Sequence, residues 1–248
     1  MKWKAKIAII LSIFLVGYLG YLVLNTKSPP NNEMFFDYGS QIPQSYPVLG
    51  VDVSHYQGEI NWEQVSSMNV KNDTIQFAYI KATEGITIVD DKSKYNIENA
   101  RANDVDAGFY HFFRPSVSAI KQADFFIDNS YNYNYNLRPA LDIEVNEEFA
   151  SDVLVDSIIT FLNRVEDRTD ERPIIYTYAN FYDTYLNVDE LSDEIFWMAQ
   201  YNVDCPLMAK DNVVAWQFSE SGTVSGINEA VDLNIAKEEF LELVRLKN

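Results

Sequence analysis

Two carboxylate side chains stand two residues apart in the segment Arg138–Glu144, where an apolar run ends in Asp142 and Glu144. Alternate side chains of a β-strand point to the same face, so these carboxylates share one face at a separation of roughly 6.5–7 Å. At that distance the ionisation of one group raises the pKa of the other, which can then keep its proton near neutral pH. A protonated carboxylic acid beside a carboxylate is what hydrolysis of a glycosidic bond requires.

Two further aspartates follow apolar strand patterns, Asp52 in Leu-Gly-Val-Asp-Val-Ser and Asp232 in Glu-Ala-Val-Asp-Leu-Asn. Taken singly, Asp52 fits a turn or cap, and Asp232 fits a cap of a final helix that begins near Asn234. Taken with Asp142 and Glu144, they predict four acids on one rim of a parallel sheet. Four acids could instead bind Mg²⁺ or Ca²⁺, but no calcium-loop spacing is present, and we expect neither a metal nor an organic cofactor.

Aromatic residues are frequent near the same predicted strand ends, and their flat faces suit stacking on sugar rings. The residues predicted to bind substrate are Tyr110, Phe112, Tyr178, Trp197, Gln200 and Trp216. Aromatic residues at alternating strand positions are also the usual content of a barrel core, and we expect this of roughly half of the aromatic candidates. Of the two histidines, His55 and His111, neither has metal-ligand spacing, and His111 is kept as a candidate site-lining group.

Other chemistries lack the residues that they need. The chain contains no Gly-x-Ser-x-Gly nucleophile motif, no phosphate-binding P-loop and no dinucleotide fingerprint. Cys205 is the only cysteine, so it cannot form an intramolecular disulfide, and no histidine lies near it in sequence to activate it. Serine or thiol hydrolysis, nucleotide chemistry and redox chemistry are therefore without support.

Short β-branched or aromatic runs predict the strands that must position these groups. The eight candidates are Val48–Val53, Thr74–Lys81, Ala107–Phe113, Arg138–Glu144, Pro173–Tyr178, Glu194–Tyr201, Val213–Ser219 and Ala230–Leu233. Helix-like stretches lie between the early ones, at Trp62–Met68, Ser93–Asn103, Ser118–Asn129, Ala150–Arg168 and Asn180–Leu186. Repeated alternation of strand and helix predicts a parallel sheet.

The later connections differ, because Asn202–Asn212 and Glu220–Glu229 are too short and too rich in turn residues for helical crossovers. We therefore expect the last strands to pair as hairpins, followed by a closing helix at Ile235–Leu246. The predicted fold belongs to the α/β class. It is an irregular TIM-like β/α barrel with about five β/α units and three helix-poor strands. The tyrosine–asparagine tract Tyr131–Asn136 is predicted to be a surface loop.

The N-terminal part of the chain has the pattern of a membrane anchor. Residues 1–6 form a basic flank, and Ile7–Leu24 is an uncharged run of eighteen residues without a small-x-small cleavage pattern after it. The lysines of the flank place this end in the cytoplasm. We expect a signal-anchor at 7–24, a Pro-rich linker at 25–47 and an extracytoplasmic catalytic domain at 48–248; a cleaved signal is the alternative.

The formal charge of the whole chain is −18, and the part after residue 43 carries 15 basic and 35 acidic residues. This surplus of acids argues against nucleic acid as a partner. It also argues against non-specific adhesion to an anionic cell wall, although acidity for solubility explains the same composition. The domain is expected to act as a monomer.

Seven sequence motifs resemble those of the glycoside hydrolase family 25 lysozymes, the Chalaropsis-type N-acetylmuramidases of bacteria and phages. The resemblance covers about Leu49 to Asn234. It is carried by Gly-Val-Asp-Val-Ser-His-Tyr-Gln-Gly at 50–58, Ile-Lys-Ala-Thr-Glu-Gly at 80–85, Gly-Phe-Tyr-His-Phe-Phe-Arg-Pro at 108–115, Leu-Asp-Ile-Glu at 141–144, Ile-Tyr-Thr at 175–177, Trp-Gln-Phe-Ser at 216–219 and Val-Asp-Leu-Asn at 231–234. Seven motifs in family order are far more specific than any one of them.

The resemblance implies cleavage of the β-1,4 bond between N-acetylmuramic acid and N-acetylglucosamine in peptidoglycan glycan strands. It also implies that Glu144 is the general acid and that Asp142 assists attack by the substrate's own acetamido group, in a retaining mechanism. Asp52 and Asp232 would position substrate and tune charge. Two alternatives stay open: a catalytically silent glycan-binding protein, and a hydrolase of the other β-1,4 linkage or of chitin-like glycans.

Overall fold

The computed structural model describes residues 46–68, 74–201 and 209–246. The predicted basic flank, the predicted anchor at 7–24, nearly all of the predicted linker and Cys205 lie outside these residues. Where the described chain begins, Tyr46 packs against the core and the Pro47 carbonyl accepts a hydrogen bond from Gln76. In the described part of the chain, no helix is both long enough and apolar enough to span a membrane.

Nine strands form one sheet, and eight of them close into a barrel. The strands are β1 Val48–Val53, β2 Ile75–Glu84, β3 Ile88–Val89, β4 Asp106–Phe112, β5 Ala140–Asp142, β6 Ile174–Tyr178, β7 Phe196–Ala199, β8 Val213–Gly222 and β9 Val231–Ala236. The closed order is β1-β2-β4-β5-β6-β7-β8-β9, with β1 paired to both β2 and β9. Strand β9 is antiparallel to both neighbours, and the other barrel pairs are parallel. The predicted irregular α/β barrel is confirmed.

Helices cover the barrel where the early strands connect. They are α1 Trp62–Ser67, α2 Ser93–Ala102, α3 Ala119–Ser130, α4 Ser151–Thr169, α5 Ala179–Phe181 and α6 Phe240–Val244, and a π-helical turn at Tyr182–Leu186 continues α5. Helix α4 buries a stripe that includes Leu154, Ile158, Phe161 and Val165, at the three- and four-residue spacing of a helix face. The residue that caps its C-terminus, Asp170, has a left-handed backbone conformation.

Alternation along the strands divides the barrel interior into an apolar floor and a polar groove. On β2, Phe77 and Tyr79 belong to the inner apolar cluster, whereas Lys81, two residues further along the strand, lines the groove. The Tyr79 ring stacks on Trp197 with ring centroids 4.9 Å apart, and Phe240 of α6 packs against Phe77 at 4.8 Å. The floor therefore supports the groove from below and excludes water beneath it.

Two predictions about the later elements are corrected by the structure. Strands β7 and β8 are parallel rather than a hairpin, and only β8 and β9 pair as antiparallel neighbours. The predicted closing helix Ile235–Leu246 is wrong at its start, because Ile235 continues β9 and pairs with Leu49 and Trp216. Asp232 lies within β9, so it does not cap a helix. These residues must close the barrel between β1 and β8, and this long-range pairing overrides the local helical pattern.

Candidate active site

The four predicted acids lie together in one groove at the carboxyl ends of the parallel strands. Asp52 of β1 stands directly opposite Asp232 of β9 in the strand register. Asp142 is the last residue of β5, and Glu144 lies two residues beyond it. The groove has a volume of about 280 Å³, and all four acids line it. In the described residues, no group of three or more histidine, cysteine, aspartate or glutamate side chains is arranged to hold a metal ion.

Asp52 and Asp232 form a hydrogen-bonded carboxyl pair on one wall of the groove. The Oδ2 atom of Asp52 also accepts hydrogen bonds from Gln217 Nε2 at 2.9 Å and from Asn234 Nδ2 at 2.7 Å. Burial raises the pKa of Asp52 to about 6, and burial together with the neighbouring Asp52 raises the pKa of Asp232 to about 9. The pair therefore shares one proton near neutral pH, held on Asp232.

A second layer of side chains fixes the donors that hold Asp52. Gln217 Oε1 accepts a hydrogen bond from the Tyr176 hydroxyl at 2.9 Å and another from the Tyr201 hydroxyl. Asn234 Oδ1 accepts a hydrogen bond from Trp197 Nε1 at 2.7 Å. Because each amide oxygen is occupied by these donors, each amide nitrogen must point towards Asp52.

Burial is the main cause of the raised pKa values of Asp142 and Glu144. Asp142 is buried, and its Oδ1 atom has no hydrogen-bond partner in the described part of the chain. Burial, then the charges of Glu144 and Asp52, raise the pKa of Asp142 well above its usual value. Burial also raises the pKa of Glu144, and a hydrogen bond from Tyr176 opposes the rise. Glu144 can thus act as an acid, and Asp142 lines the same lobe as a second, more deeply buried carboxyl group.

Lys81 is the one positively charged residue among those that line the first lobe of the groove. Its Nζ atom lies 2.7 Å from Glu84 Oε2, and Glu84 also binds Arg114 at 2.6 Å. Both cations lie over the Phe112 ring, at 5.2 Å for Lys81 and 4.7 Å for Arg114. Lys81 lowers the pKa of Asp142 and of Glu144, and so limits how far burial raises them.

A second lobe extends the groove beyond Glu144. Its volume is about 580 Å³, and its own lining residues are Tyr178, Ala179, Asn180, Ala199 and Gln200. Glu144, Tyr176, Tyr201 and Glu220 line both lobes and form the wall between them. The site is therefore a two-part groove with Glu144 at the junction, which suits a chain of sugars rather than a single small molecule.

Five of the six predicted substrate-binding residues line the groove, and Trp216 does not. Tyr110, Phe112 and Trp197 line the first lobe, and Tyr178 and Gln200 line the second. Trp216 is buried in the outer core against Phe218, and its Nε1 atom donates to the Gln200 carbonyl at 2.7 Å. It points away from the groove because the β8 residues that face inwards are its neighbours Ala215 and Gln217.

Neither histidine lines the groove. His111 is fully buried between β4 and the helices, where its Nδ1 atom lies 2.7 Å from Thr83 Oγ1 and its ring stacks on Phe161. Burial lowers the pKa of His111 to about 4, so it is a neutral core residue near neutral pH. The His55 Nδ1 atom lies 2.8 Å from Asp90 Oδ2 and anchors the turn that carries Tyr56 to the groove.

Several groove residues were missed in the sequence, although some of them carried a usable signal. Gln217 and Asn234 hold Asp52 from inside the barrel, and Tyr176 and Tyr201 hold Gln217. Asn234 lies two residues after Asp232 on the same strand, so alternation predicts that both face the barrel interior. Gln217 stands in the Trp-Gln-Phe-Ser motif, but that motif does not indicate that its side chain binds Asp52, which is 165 residues away.

The Asp52–Asp232 pair leads to a prediction about stability and pH. A carboxyl group whose pKa is raised on folding stabilises the protein at low pH and loses that contribution as the pH rises through the folded-state value. We therefore expect the stability that Asp232 provides to fall between about pH 4 and pH 9. The Asp232→Asn variant keeps a donor for Asp52 without the charge, so at pH 8 its Tm should exceed that of the parent by roughly 2–8 °C.

Thermal unfolding of parent and variant across pH 4.5–8.5 measures this effect. At pH 4.5, close to the unfolded-state pKa of an aspartate, most of the loss of stability with rising pH has not yet taken place, so the two Tm values should approach each other. A constant difference over the whole range would contradict a raised pKa at Asp232.

Comparisons with known proteins agree in family and fold. The family model described as Glycosyl hydrolases family 25 matches residues 51–227. Lysozyme M1 of Streptomyces globisporus is 34% identical over 215 residues, which cover 81% of this chain and 71% of that protein. The uncharacterized protein YegX of Escherichia coli K12 is 36% identical, over 79% of this chain and 71% of that one.

Solved structures share the fold of this chain. The bacterial lysozyme from Streptomyces coelicolor superposes with a TM-score of 0.70 at 34% identity, covering 79% of this chain and 94% of that one. A family 25 glycosyl hydrolase from Bacillus anthracis superposes with a TM-score of 0.72 at 26% identity, covering 85% of this chain and 99% of that one.

Proposed function

Because the chain belongs to glycosyl hydrolases family 25, we propose that it cleaves the β-1,4 bond between N-acetylmuramic acid and N-acetylglucosamine in peptidoglycan glycan strands. The chain is a glycoside hydrolase, and its relatives include proteins named Lysozyme M1, Autolytic lysozyme and N,O-diacetylmuramidase. The choice of substrate rests on these relatives, and the choice of bond and of residue roles rests on the resemblance together with the groove.

One observation carries the proposed roles: the two acids nearest to each other in sequence have complementary environments. Glu144 has a raised pKa and lies at the junction of the two lobes, where it can reach the oxygen that links two sugars. Asp142 is more deeply buried than Glu144 and lines the first lobe only. A general acid needs the first environment, and a group that holds a substrate N–H needs the second.

In the proposed reaction, Glu144 protonates the glycosidic oxygen as the bond from that oxygen to the anomeric carbon breaks. The carbonyl oxygen of the muramic acid acetamido group forms a new bond to the anomeric carbon, while Asp142 accepts a hydrogen bond from its N–H. Water then attacks the anomeric carbon and gives a proton to Glu144, while the bond from that carbon to the acetamido oxygen breaks and the acetamido group is restored. Two displacements at one carbon retain the β configuration.

In this scheme Asp52 and Asp232 act on substrate position and charge. The raised pKa values of Asp52 and Asp232 mean that this pair keeps one proton near neutral pH. The groove therefore carries fewer than four negative charges. The Gln217 and Asn234 amides hold Asp52 in place. The acids are therefore already in place when positive charge develops at the anomeric carbon, and they stabilise it without having to move.

Digestion of purified peptidoglycan tests the choice of bond. After borohydride reduction, mass analysis of the fragments should show reduced muramic acid at the new chain ends. Reduced glucosamine ends would instead indicate the other β-1,4 linkage, and intact strands would favour the glycan-binding alternative. Proton NMR during the first minutes of digestion tests the mechanism, because an α-anomer as the first product would contradict retention.

We also propose that residues 7–24 hold the catalytic domain at the outer face of the cytoplasmic membrane. The support is the uncharged run of eighteen residues with lysines on its N-terminal side. A tether would raise the local concentration of the enzyme at the wall, against the repulsion expected from its acidic domain. Intact mass of the chain purified from membranes decides this, since a mature chain that starts near residue 25 would lack the anchor.

A further inference from the structure

The chain leaves the sheet at Glu144, so the position of this acid depends on contacts made beyond the barrel strands. The N–H of Ile143 still donates to the Tyr176 carbonyl of β6 at 3.0 Å. Among the residues that the structure describes, the main-chain groups of Glu144 and Val145 have no main-chain hydrogen-bond partner. The backbone at Glu144 is therefore held by side-chain contacts of the residues around it.

Two side chains that follow Glu144 fasten this segment on opposite sides. Asn146 Nδ2 donates to the Tyr185 hydroxyl at 3.1 Å, in the π-helical turn after β6. Glu147 Oε2 accepts a hydrogen bond from the Ser116 N–H at 2.8 Å, in the turn after β4. Strands β4 and β6 are the two neighbours of β5, so the segment is tied across the end of β5.

The backbone of the segment is strained where it is tied. Glu147 and Glu148 have φ angles of 47° and 67°, in the left-handed region that residues other than glycine rarely adopt. Such a conformation persists only where surrounding contacts impose it. Loss of the contact at Glu147 would let the segment relax, and Glu144, three residues earlier, would move with it.

The support for Glu147 is rigid. Its second carboxylate oxygen, Oε1, lies 3.7 Å from Arg114 Nη1. The side chain of Gln122, a fully buried residue of α3, accepts from the Arg114 N–H and donates to the Arg114 and Val117 carbonyls, each at 2.9 Å. The turn that presents the Ser116 N–H is therefore fixed on α3, and it can set the position of Glu147.

We propose that Glu147 and Asn146 are positioning residues for the general acid, because their side chains hold the strained segment that places the Glu144 carboxyl at the wall between the two lobes. The proposal rests on the function proposed above, under which Glu144 protonates the glycosidic oxygen. Glu147 and Asn146 lie outside the lining of both lobes. They therefore act through Glu144 and not through contact with the substrate.

Glu147→Ala in the full chain tests this role. The Ser116 N–H and the Arg114 guanidinium lose their acceptor, and kcat on glycan strands should fall roughly 10–100-fold, as expected when a reacting group is displaced by about 1 Å. KM should stay within a few-fold of the parent value, because the contacts with the sugars are unchanged. Glu147→Gln keeps an oxygen that can accept from the Ser116 N–H, and it should retain most of the parent kcat.

Two comparisons separate positioning of the acid from general damage. In the Glu144→Gln background, which has no proton to give, Glu147→Ala should lower kcat by less than about threefold, because no acid is left to position. The second comparison uses the β-linked methylumbelliferyl glycoside of N-acetylglucosaminyl-N-acetylmuramic acid, whose leaving group departs without protonation. On this aryl glycoside, Glu147→Ala should lower kcat/KM far less than on glycan strands. Asn146→Ala should give the same pattern in both comparisons.

Glu148→Ala is the matched control, because Glu148 is the exposed neighbour in the same backbone conformation, and it should match the parent on both substrates. The Tm of each variant is measured beside its kinetics. Parent-like glycan activity in Glu147→Ala would overturn the positioning role, and so would an equal loss on the aryl glycoside or an undiminished loss in the Glu144→Gln background. An inactive parent on both substrates would instead overturn the proposed function itself, and the positioning role would fall with it.

Discussion

Replacement of Glu144 by glutamine is expected to lower kcat for glycan cleavage by roughly 10²–10⁴-fold, the usual contribution of a general acid. Glutamine has the same shape and keeps the hydrogen-bonding contact with Tyr176, but it has no proton to give to the leaving oxygen. Substrate binding should change little, so KM should stay within a few-fold of the parent value. Initial rates on solubilised glycan strands measure both quantities.

The β-linked methylumbelliferyl glycoside of N-acetylglucosaminyl-N-acetylmuramic acid, an aryl glycoside, distinguishes loss of the acid from general damage. Its leaving group is acidic enough to depart without protonation, so the fall in kcat/KM, which reports the step that releases the aryl group, should be far smaller for Glu144→Gln on this substrate than on glycan strands. Glu148→Gln, the same change at an exposed position four residues later, should behave as the parent. If Glu144→Gln lowered kcat/KM equally on the two substrates, Glu144 would not be the proton donor.

The sequence allowed the early strands to be predicted, and also the meeting of the four acids in one groove. Strand β1 has the predicted bounds, Val48–Val53, since every residue in it is buried and the run ends at a capping serine, Ser54. The acids were predicted from their place at the ends of apolar strands. The carboxyl ends of the parallel strands meet on one rim, which brings Asp52, Asp142 and Glu144 together. Asp232 joins them because β9 is antiparallel to its neighbours, so the start of β9 lies at the same rim.

Prediction failed where distant contacts override local patterns. The run after Asp232 has helical spacing, yet Ile235 is needed to complete β9 between two strands from opposite ends of the domain. Trp216 and Gln217 are neighbours, and which of them faces the groove depends on register shifts in β8 that the sequence does not reveal. Strand β3, only two residues long, is too short for a periodic signal.

The charge of the groove also follows from the fold rather than from composition. Four carboxyl groups around one cavity repel one another, and the pKa values of all four are raised, with burial as the main cause. Lys81 is a lining cation, and it is already paired with Glu84. The acids therefore lower the stability of the folded protein. The packing of the apolar floor, which includes Tyr79 and Trp197, must compensate for this loss.

Asp142→Asn is expected to reduce kcat by roughly 10²–10³-fold, the usual effect of removing one preorganised polar contact from a transition state. The carboxylate accepts the acetamido N–H and stabilises the positive charge that spreads onto that group when its carbonyl oxygen attacks. The asparagine amide is neutral and stabilises this charge less. Unlike Glu144→Gln, this variant should be impaired on the aryl glycoside to a similar extent, because attack by the acetamido group is needed whatever the leaving group.

Asp156→Asn, at an exposed position of α4, is the matched control and should keep the parent rates on both substrates. Glycan strands whose muramic acid lacks the acetyl group provide a second check, since they lack the attacking carbonyl and should resist the parent enzyme. Two results together would assign the nucleophile to the substrate: an aryl glycoside that rescues Glu144→Gln but not Asp142→Asn, and resistance of the deacetylated strands. Rapid cleavage of deacetylated strands would instead require a carboxylate of the protein as nucleophile, with Asp142 the nearest candidate to Glu144 in the chain.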